Sequence, residues 1–556
     1  MITPQERYSG DAPELVAAGL PEGADALVLS RAVRMRGGRA LFVARDDARA
    51  SAFRQQCRFF APDIPVLYLP AWDCLPYDRV SPSRSLAALR AGALHSLATA
   101  PADIPLVIVT TVAAVTQRVP PRASLRESGF HAKVGEDVDR SKLEAYLTDN
   151  GYARAGTVVE QGDYAVRGGV VDCFPPGADD PLRLDFFGDE LESIRTFDVE
   201  TQLSQGRQKT VSLSPVSEVL LNEQSIARFR RNYIAAFGGG VSRDPIYAGV
   251  SDGIRMQGVE HYLPLFHDGL ETVFDYVGPG ALYAFDGLSD EATQERWDLI
   301  TDFHESRQAV VDARDSGSGD PSKAAGLHRP LDPSRLYLSP EQMAEETAPL
   351  TRRRHTVFVP EEAPDVIDFG GKPGRNFIAE RKTEGANVFA AAVDHLTALR
   401  SAGQKVLLAS WTEGSSERLA SVLADHDLSV PKLETTRLAE VEPRSIHRAV
   451  LPVEQGFTFE DLSVVAEQDI LGDRLVNRSR RRKAKNFISE ASALQPGDLV
   501  IHIDHGLGRF LGLVTLDIGN APHDCLELEY AGSSKLYLPV ENIELLSRYG
   551  NAPEAV

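Results

Sequence analysis

Three side chains between residues 163 and 187 have the chemistry of a protein-binding surface. The stretch 163–177, DYAVRGGVVDCFPPG, alternates small and apolar residues as a strand does, yet Arg167 places a permanent positive charge inside that pattern. In the later run LRLDFF, strand alternation puts Arg183 and Phe187 on one face and the two leucines on the other. Arginine binds carboxylates through two parallel hydrogen bonds, and arginine and aromatic side chains dominate many protein interfaces. The face that carries these side chains is therefore a candidate docking site.

A second interpretation keeps the same residues inside the protein. Asp172 and Asp185 lie close in sequence to the two arginines, so each arginine could form an internal ion pair. Phe187 would then pack under a neighbouring domain. Strand alternation alone leaves both interpretations open.

The sequence carries no motif of enzyme or metal chemistry. His502 and His505 of the stretch HIDH have opposite strand parity, which makes them a poor metal pair and favours a structural role. The four cysteines lack C-x-x-C spacing, which indicates buried thiols in a reducing compartment. No G-x-S-x-G, H-E-x-x-H or G-x-x-x-x-G-K-[ST] motif occurs. We expect no catalytic residue, no bound cofactor and no metal ion in this chain.

Composition limits the partners of the chain. Acidic residues outnumber basic ones 80 to 59 over 556 residues, and the net charge of −21 predicts weak or local affinity for nucleic acid. The basic run 473–487, DRLVNRSRRRKAKNF, is either a solvated linker or a nucleic-acid contact. The sequence shows no signal peptide and no run of about 18 apolar residues, so a cytoplasmic protein without a membrane segment is expected.

Several modules must position these side chains. Apolar runs separated by helical patterns predict a parallel sheet flanked by helices over the first 120 residues, and an α/β pattern returns at 377–470. Closely spaced strands at 153–200 predict a small β-rich insertion with a turn at Gly188 and Asp189. The last 60 residues predict a compact β half-barrel.

Long segments of the chain resemble the bacterial transcription-repair coupling factors, the Mfd family. They occur in the order expected for that family: PAWDCLPYDRVSPS (70–83), YAVRGGVVDCFPPG (164–177), LRLDFFGDELESIRTFDVETQ (182–202), VAEQDILGDR (465–474), and the terminal GDLVIHIDHGLGRFLGL with LELEYAGSSKLYLPVENIELLSRY (497–549). The resemblance covers most of the chain and implies the family's N-terminal portion.

The resemblance implies a multidomain α/β fold. A UvrB-like, degenerate helicase-type α/β module carries an inserted small α+β domain, and a second α/β domain and a small CarD-like barrel of Tudor or SH3 type follow. The implied boundaries are 1–122 (domain 1a), 123–212 (inserted domain), 213–345 (domain 1b), 346–472 (second α/β domain), 473–492 (basic linker) and 493–550 (RNA polymerase interaction domain).

The resemblance also implies two partners and their contact residues. Arg167, Arg183 and Phe187 correspond to the family's surface for UvrA, the damage-recognition ATPase. The terminal barrel corresponds to the domain that binds the RNA polymerase β subunit by pairing edge strands, and its edge by position is Val514, Thr515 and Leu516. The resemblance thus implies a monomeric adaptor that links stalled transcription to nucleotide excision repair.

A working UvrB-like ATPase would need a phosphate loop, and the comparable stretch GLPEGADALVLSRAV (19–33) has none. Asp25 stands near the expected lysine, and its charge would repel nucleotide by about 1 to 4 kcal/mol at close range. The resemblance implies that ATP hydrolysis and most contact with duplex DNA belong to the motor that follows this portion in the family. The alternatives are a nucleotide-dependent UvrB-like DNA remodeller and a DNA-binding repair protein that acts through the basic run.

Overall fold

In a computed structural model the chain forms two units, Met1–Gly472 and Asp473–Val556. The described residues are 2–472 without 239–240, 242–243, 316–328, 361–364, 384 and 435–437, and beyond them 497, 499–502, 506–518, 521–530, 534–539 and 546–549. The basic run 473–487 lies outside the described residues.

The strands and helices are numbered in chain order. The strands are β1 (Glu14–Ala18), β2 (Arg39–Ala44), β3 (Val66–Leu69), β4 (Leu106–Thr111), β5 (Phe130–Lys133), β6 (Ala153–Arg154), β7 (Asp163–Arg167), β8 (Val170–Cys173), β9 (Leu182–Phe187), β10 (Glu190–Phe197), β11 (Ser204–Gln208), β12 (Thr210–Leu213), β13 (Leu282–Phe285), β14 (Thr351–His355), β15 (Val366–Asp368), β16 (Lys372–Pro373), β17 (Lys405–Ser410), β18 (Ile446–Val450), β19 (Phe457–Phe459), β20 (Leu462–Ala466), β21 (Leu499–His502), β22 (Gly506–Ile518), β23 (Ala521–Tyr530), β24 (Ser534–Pro539) and β25 (Leu546–Tyr549). The helices are α1 (Pro4–Ser9), α2 (Ala24–Arg36), α3 (Asp47–Phe60), α4 (Arg84–Thr99), α5 (Val112–Val115), α6 (Arg122–Glu127), α7 (Arg140–Asp149), α8 (Glu223–Phe237), α9 (Pro245–Ser251), α10 (Val273–Val277), α11 (Ser289–Asp315), α12 (Pro340–Thr347), α13 (Ile378–Lys382), α14 (Val388–Ser401), α15 (Glu413–Ala424) and α16 (Glu467–Leu471).

The first sheet has seven parallel strands in the order β15-β1-β14-β13-β2-β4-β3. Every residue of β2, RALFVA, is buried, because apolar clusters cover both faces of the sheet. The parallel sheet predicted for the start of the chain is confirmed.

The resemblance implies a domain boundary between residues 345 and 346, and the structure places β14 and β15, which follow that position, in the first sheet. Strand β14 lies between β1 and β13, with the sequence TRRRH. Its central residue, Arg353, is completely buried and donates hydrogen bonds to the carbonyls of Tyr8, Gly10 and Ala12. An arginine satisfied by backbone carbonyls gives no apolar alternation, so the pattern did not reveal this strand.

The inserted domain contains a six-stranded sheet in the order β11-β10-β9-β8-β7-β6. One face packs on α7 through an apolar cluster that includes Leu143, Leu147, Leu184 and Ile194. The opposite face carries a smaller cluster and the charged side chains described below. The turn predicted at Gly188 joins β9 to β10, and Gly188 has a φ of 65°, which glycine adopts without steric penalty.

The second α/β module has a five-stranded sheet in the order β16-β19-β20-β17-β18. Leu407, Phe457 and Val464 of this sheet belong to the same buried cluster as residues of β1, β2 and α2. A Cβ added at Gly23, just before α2, would lie 2.7 Å from Cε1 of Phe457. The two α/β modules therefore share one hydrophobic core.

The terminal unit is an antiparallel sheet in the order β24-β23-β22-β21-β25. Phe510, Leu526, Leu528 and Leu538 are buried in it. The Tudor or SH3 type of barrel stays a prediction. Over the described residues of both units, no helix combines the length and the apolar character needed to cross a membrane.

Candidate functional site

The register of the inserted sheet brings the predicted docking residues onto one face. Arg167 of β7 lies opposite Val170 of β8, which in turn lies opposite Asp185 of β9. Directly opposed residues share a face. Along β9, Asp185 lies two residues from Arg183 and two residues from Phe187, so these three side chains also share a face. Arg167, Arg183 and Phe187 therefore occupy the same side of the sheet, the side opposite the main core of the domain.

Phe187 is the most exposed aromatic side chain of this face. It is 78% exposed at the end of β9, directly before the turn, and lies opposite the exposed Glu190 of β10. A bare phenyl ring on a regular strand loses the free energy of burial, roughly 2 kcal/mol, unless a partner covers it. Among the described residues, no neighbouring element covers Phe187 as the internal interpretation would require.

Arg167 is also exposed, and its described hydrogen bonds go to neutral acceptors. Its guanidinium donates to the carbonyl of Gly156 and, at 3.0 Å, to Oγ1 of Thr157. These contacts fix the side chain beside the loop before β7, and none of the ion pairs among the described residues involves Arg167. An anionic group of a partner can therefore pair with it.

Arg183 has a different environment, in which the internal interpretation holds. Its Nε and Nη2 donate to the two carboxylate oxygens of Asp172 at 2.8 and 2.9 Å, and its guanidinium lies 4.6 Å from the ring centre of Phe197. The side chains of Arg183 and Asp172 are 18% and 3% exposed. The hydrogen bonds to Asp172 raise the pKa of Arg183 above its usual value. Arg183 thus stabilises the face from within and offers a partner one edge of its guanidinium at most.

Strand alternation missed Arg195, which also lies on this face. Arg195 is opposite Arg183 and donates to Asp185 at 2.7 Å. A β-bulge between Leu191 and Ser193 inserts one residue into β10 and reverses its parity. Counting from the turn would therefore place Arg195 on the core side; no signal in the sequence marks the bulge.

A second cluster of functional interest lies at the N-terminus of α2, in the stretch that was compared above with a phosphate loop. Asp25 accepts hydrogen bonds from the backbone N–H groups of Gly23 and Ala26, each at 2.9 Å. Its other oxygen pairs with Arg49 of α3, and Nδ1 of His355 lies 3.6 Å away. The side chains of Asp25 and Arg49 are only 4% and 1% exposed.

Other charged groups complete this cluster at the carboxyl edge of the first sheet. Asp286, which follows β13, accepts from Arg49 at 3.2 Å and from Arg45 at 3.1 Å, and Arg45 also pairs with Glu22 at 2.8 Å. These groups line a cavity of about 260 Å³. Burial would raise the pKa of Asp25, but the charge of Arg49 and the bonds to His355 and Gly23 bring it below its usual value. The carboxylate therefore stays charged, and it occupies the N–H groups that an external anion would need.

The predicted polymerase-binding residues lie in the second half of the long strand β22. Val514, Thr515 and Leu516 pair with Cys525, Asp524 and His523 of β23. On the other side, the described pairing of β22 with β21 ends at Arg509. Although β22 is not a terminal strand of the sheet order, these three residues have a described strand partner on one side only. The side chains of Thr515 and Leu516 lie outside the described part of the chain.

Comparison with known proteins assigns two segments to domain families. Residues 130–218 match the UvrB interaction domain, and residues 494–550 match the CarD-like/TRCF RID domain. The first segment contains the candidate docking face, the side of the inserted sheet that carries Arg167, Arg183 and Phe187, and the second contains β21–β25.

The relatives that match most of this chain are transcription-repair-coupling factors. The factor of Haemophilus influenzae is 31% identical over 544 residues, that of Escherichia coli 30% over 548, and that of Rickettsia bellii 28% over 511. The matches cover 95%, 96% and 92% of this chain, but only 44%, 45% and 43% of the relatives. The chain thus spans less than half the length of the curated relatives it matches, and the matched part is their N-terminal portion.

Proposed function

We propose that this chain, which matches the N-terminal portion of the transcription-repair-coupling factors, is an adaptor that docks on UvrA and on RNA polymerase. The observation that supports the proposal most is Phe187, 78% exposed on an arginine-bearing face inside the segment that matches the UvrB interaction domain. The adaptor would connect a stalled polymerase to nucleotide excision repair. Its two docking surfaces lie in the two different units of the chain.

The docking face has the features of an energetically important interface patch. Phe187 supplies exposed aromatic area, Arg167 supplies a charge that no carboxylate of the described residues pairs with, and the Arg183–Asp172 pair gives the patch a fixed geometry. An aromatic anchor beside a guanidinium fits a partner surface that offers an apolar pocket with a carboxylate at its rim. We assign UvrA as that partner because the segment matches the interaction domain of UvrB.

The terminal domain would bind the polymerase β subunit by strand addition. Residues 514–516 leave one side of the β22 backbone without a described strand partner, and a strand from the β subunit can complete the ladder there. Main-chain hydrogen bonds would supply affinity, and alternate side chains would supply specificity. The match of residues 494–550 to the CarD-like/TRCF RID domain supports this assignment.

The chain would perform this role without catalysis of its own. Asp25 satisfies the N–H groups at the start of α2 and pairs with Arg49, so a nucleotide phosphate would have to displace a buried carboxylate and face its negative charge. We therefore expect no ATP turnover by this chain, with or without DNA.

Capture of purified UvrA by the immobilised chain tests the proposal. Phe187→Ala should weaken binding at least tenfold without a change in the melting temperature, because a ring that is 78% exposed adds little to the packing of its own domain. Val134→Ala, which truncates another exposed apolar residue of the inserted domain, is the matched control and should bind like the wild type. We avoid Arg183→Ala as the main test because it leaves Asp172 buried without its partner.

Two results would reject the assignment. One is failure of the wild-type chain to bind UvrA at micromolar concentration. The other is undiminished binding by both Phe187→Ala and Arg167→Glu, which would place any contact outside this face.

A further inference from the structure

A row of arginines crosses the inserted sheet at one register position. Asp172 of β8 lies opposite Arg183 of β9, Arg183 lies opposite Arg195 of β10, and Arg195 lies opposite Arg207 of β11. Directly opposed residues project from the same face, so the row continues the docking face to the edge strand. Phe187 lies on the same face, four residues along β9 from the row.

Like charges directly opposite each other destabilise a sheet unless each is compensated. Arg183 is compensated by Asp172 at 2.8 Å and Arg195 by Asp185 at 2.7 Å. Arg207 is exposed, and among the ion pairs of the described residues it takes part in none. The last guanidinium of the row therefore faces Arg195 without a carboxylate of its own.

The surrounding chain holds Arg207 in a defined place. The turn before β11 is built by Asp198, whose carboxylate accepts from the N–H groups of Glu200 and Thr201, and by Gln202, which donates to the carbonyls of Val158 and Val199. On β11 itself, the N–H of Gly206 donates to Oγ1 of Thr196 at 2.9 Å. All five residues of β11 are exposed, so the strand presents Arg207 at an open edge.

We propose that the docking face extends across β10 to β11 and that Arg207 binds a carboxylate on an acidic surface of the protein partner. This inference rests on the proposed function and adds to it a further contact residue and the chemistry of the partner surface. A guanidinium without an internal partner binds a carboxylate through two hydrogen bonds, and the partner thereby supplies the compensation that the sheet lacks at this position.

A protein carboxylate fits this site better than a nucleic-acid phosphate. The chain has a net charge of −21, and Glu190 and Glu192 are exposed on the neighbouring strand β10. A duplex would meet these carboxylates along its whole length, whereas a folded partner can place one acidic group against Arg207 alone. The partner surface is therefore acidic opposite β11 and apolar opposite Phe187.

The test compares two charge reversals on opposite edges and faces of the same sheet. Arg207→Glu alters the proposed contact, and Arg154→Glu is the matched control, because the exposed Arg154 of β6 lies opposite the buried Tyr164 and so projects from the core side. Affinity for UvrA is measured at 50 and 300 mM salt, and the melting temperature of each variant is measured alone.

We expect Arg207→Glu to weaken UvrA binding at least tenfold at low salt and to reduce its salt dependence, while Arg154→Glu stays within twofold of the wild type. The melting temperature of Arg207→Glu should equal or exceed that of the wild type, because the introduced carboxylate would lie opposite Arg195. A structural role for Arg207 predicts a lower melting temperature instead.

Three outcomes would overturn the inference. Equal binding by the two variants would remove Arg207 from the interface, and the proposed function would survive if Phe187→Ala still lost binding. A lower melting temperature together with lost binding would make Arg207 structural. Arg207-dependent binding of a 30-base-pair duplex would assign the site to phosphate.

Discussion

Replacement of Asp25 by asparagine should destabilise the Met1–Gly472 unit far more than a surface change of the same kind. The asparagine side chain keeps an oxygen for the N–H groups of Gly23 and Ala26, so the start of α2 retains its acceptor. The other carboxylate oxygen is replaced by an NH₂ group that points at the guanidinium of Arg49. The substitution therefore removes a charge and sets two donors against each other with almost no change in side-chain volume.

The magnitude follows from the burial of the pair and from what Arg49 keeps. Breaking a buried ion pair by loss of one partner costs about 3 to 5 kcal/mol. Arg49 retains Asp286 at 3.2 Å and Gln56 at 3.3 Å, which places the expected loss near the lower end, at about 3 kcal/mol. Because the pKa of Asp25 is below its usual value, this contribution is present at neutral pH and disappears only as the pH falls through that lowered pKa.

Urea titration of the intact chain, followed by circular dichroism, measures the change in unfolding free energy. Asp63→Asn is the matched control, since Asp63 pairs with Arg34 of the same helix α2 but the two side chains are 61% and 40% exposed. An exposed pair contributes less than about 1 kcal/mol. The double variant Asp25→Asn with Arg49→Met should lose less than the sum of the two single changes, because it removes the uncompensated charge.

Equal destabilisation by Asp25→Asn and Asp63→Asn would refute the argument that a buried carboxylate holds this site closed. Measurable ATP binding by Asp25→Asn would leave the stability argument intact but would show that the carboxylate is the main barrier to nucleotide.

Two further predictions concern other parts of the chain. Burial raises the pKa of Asp469 to about 6, so the folded state holds a proton that the unfolded state has released, and wild-type stability should fall as the pH rises from 4 through 6, by at most roughly 3 kcal/mol. Asp469→Asn should flatten this slope in urea titrations between pH 4 and 7.5, and parallel slopes would contradict the assignment. In the terminal unit, Leu516→Arg should weaken binding to the polymerase β subunit at least tenfold with a preserved melting transition, whereas Tyr537→Arg on β24 should not; the reverse result would move the contact to the β24 edge.

Local alternation correctly predicted which side chains of β9 share a face. Leucines and charged residues alternate in LRLDFF, and β9 indeed presents Arg183 and Phe187 on one side. An internal ion pair between Arg183 and Asp172 was one of the two interpretations, because Asp172 is near Arg183 in sequence. Arg195 and Arg207 were not found, because a bulge and a register across three strands depend on pairing that no local pattern encodes.

Local sequence patterns could not predict features that depend on contacts between residues far apart in the chain. The position of Asp25 indicated a closed phosphate site, but its partner Arg49 lies on another helix and could not be identified from spacing. Local alternation does not predict the strand TRRRH, because the carbonyls that accept hydrogen bonds from Arg353 come from residues about 340 positions earlier. The core that joins Gly23 to Phe457 likewise has no local signature.

The place of β1 in the first sheet has a consequence for how the protein is made. Both neighbours of β1 come from the far side of the sequence, with Glu14 opposite Arg352 and Val16 opposite Val366. At a synthesis rate of about 5–20 residues per second, this apolar strand waits roughly 20–70 s after its own synthesis for the strands that will flank it. The nascent chain must keep this segment from associating with other chains during that interval. A polypeptide released before residue 351 would lack both strands that pair with β1, and β1 would stay exposed.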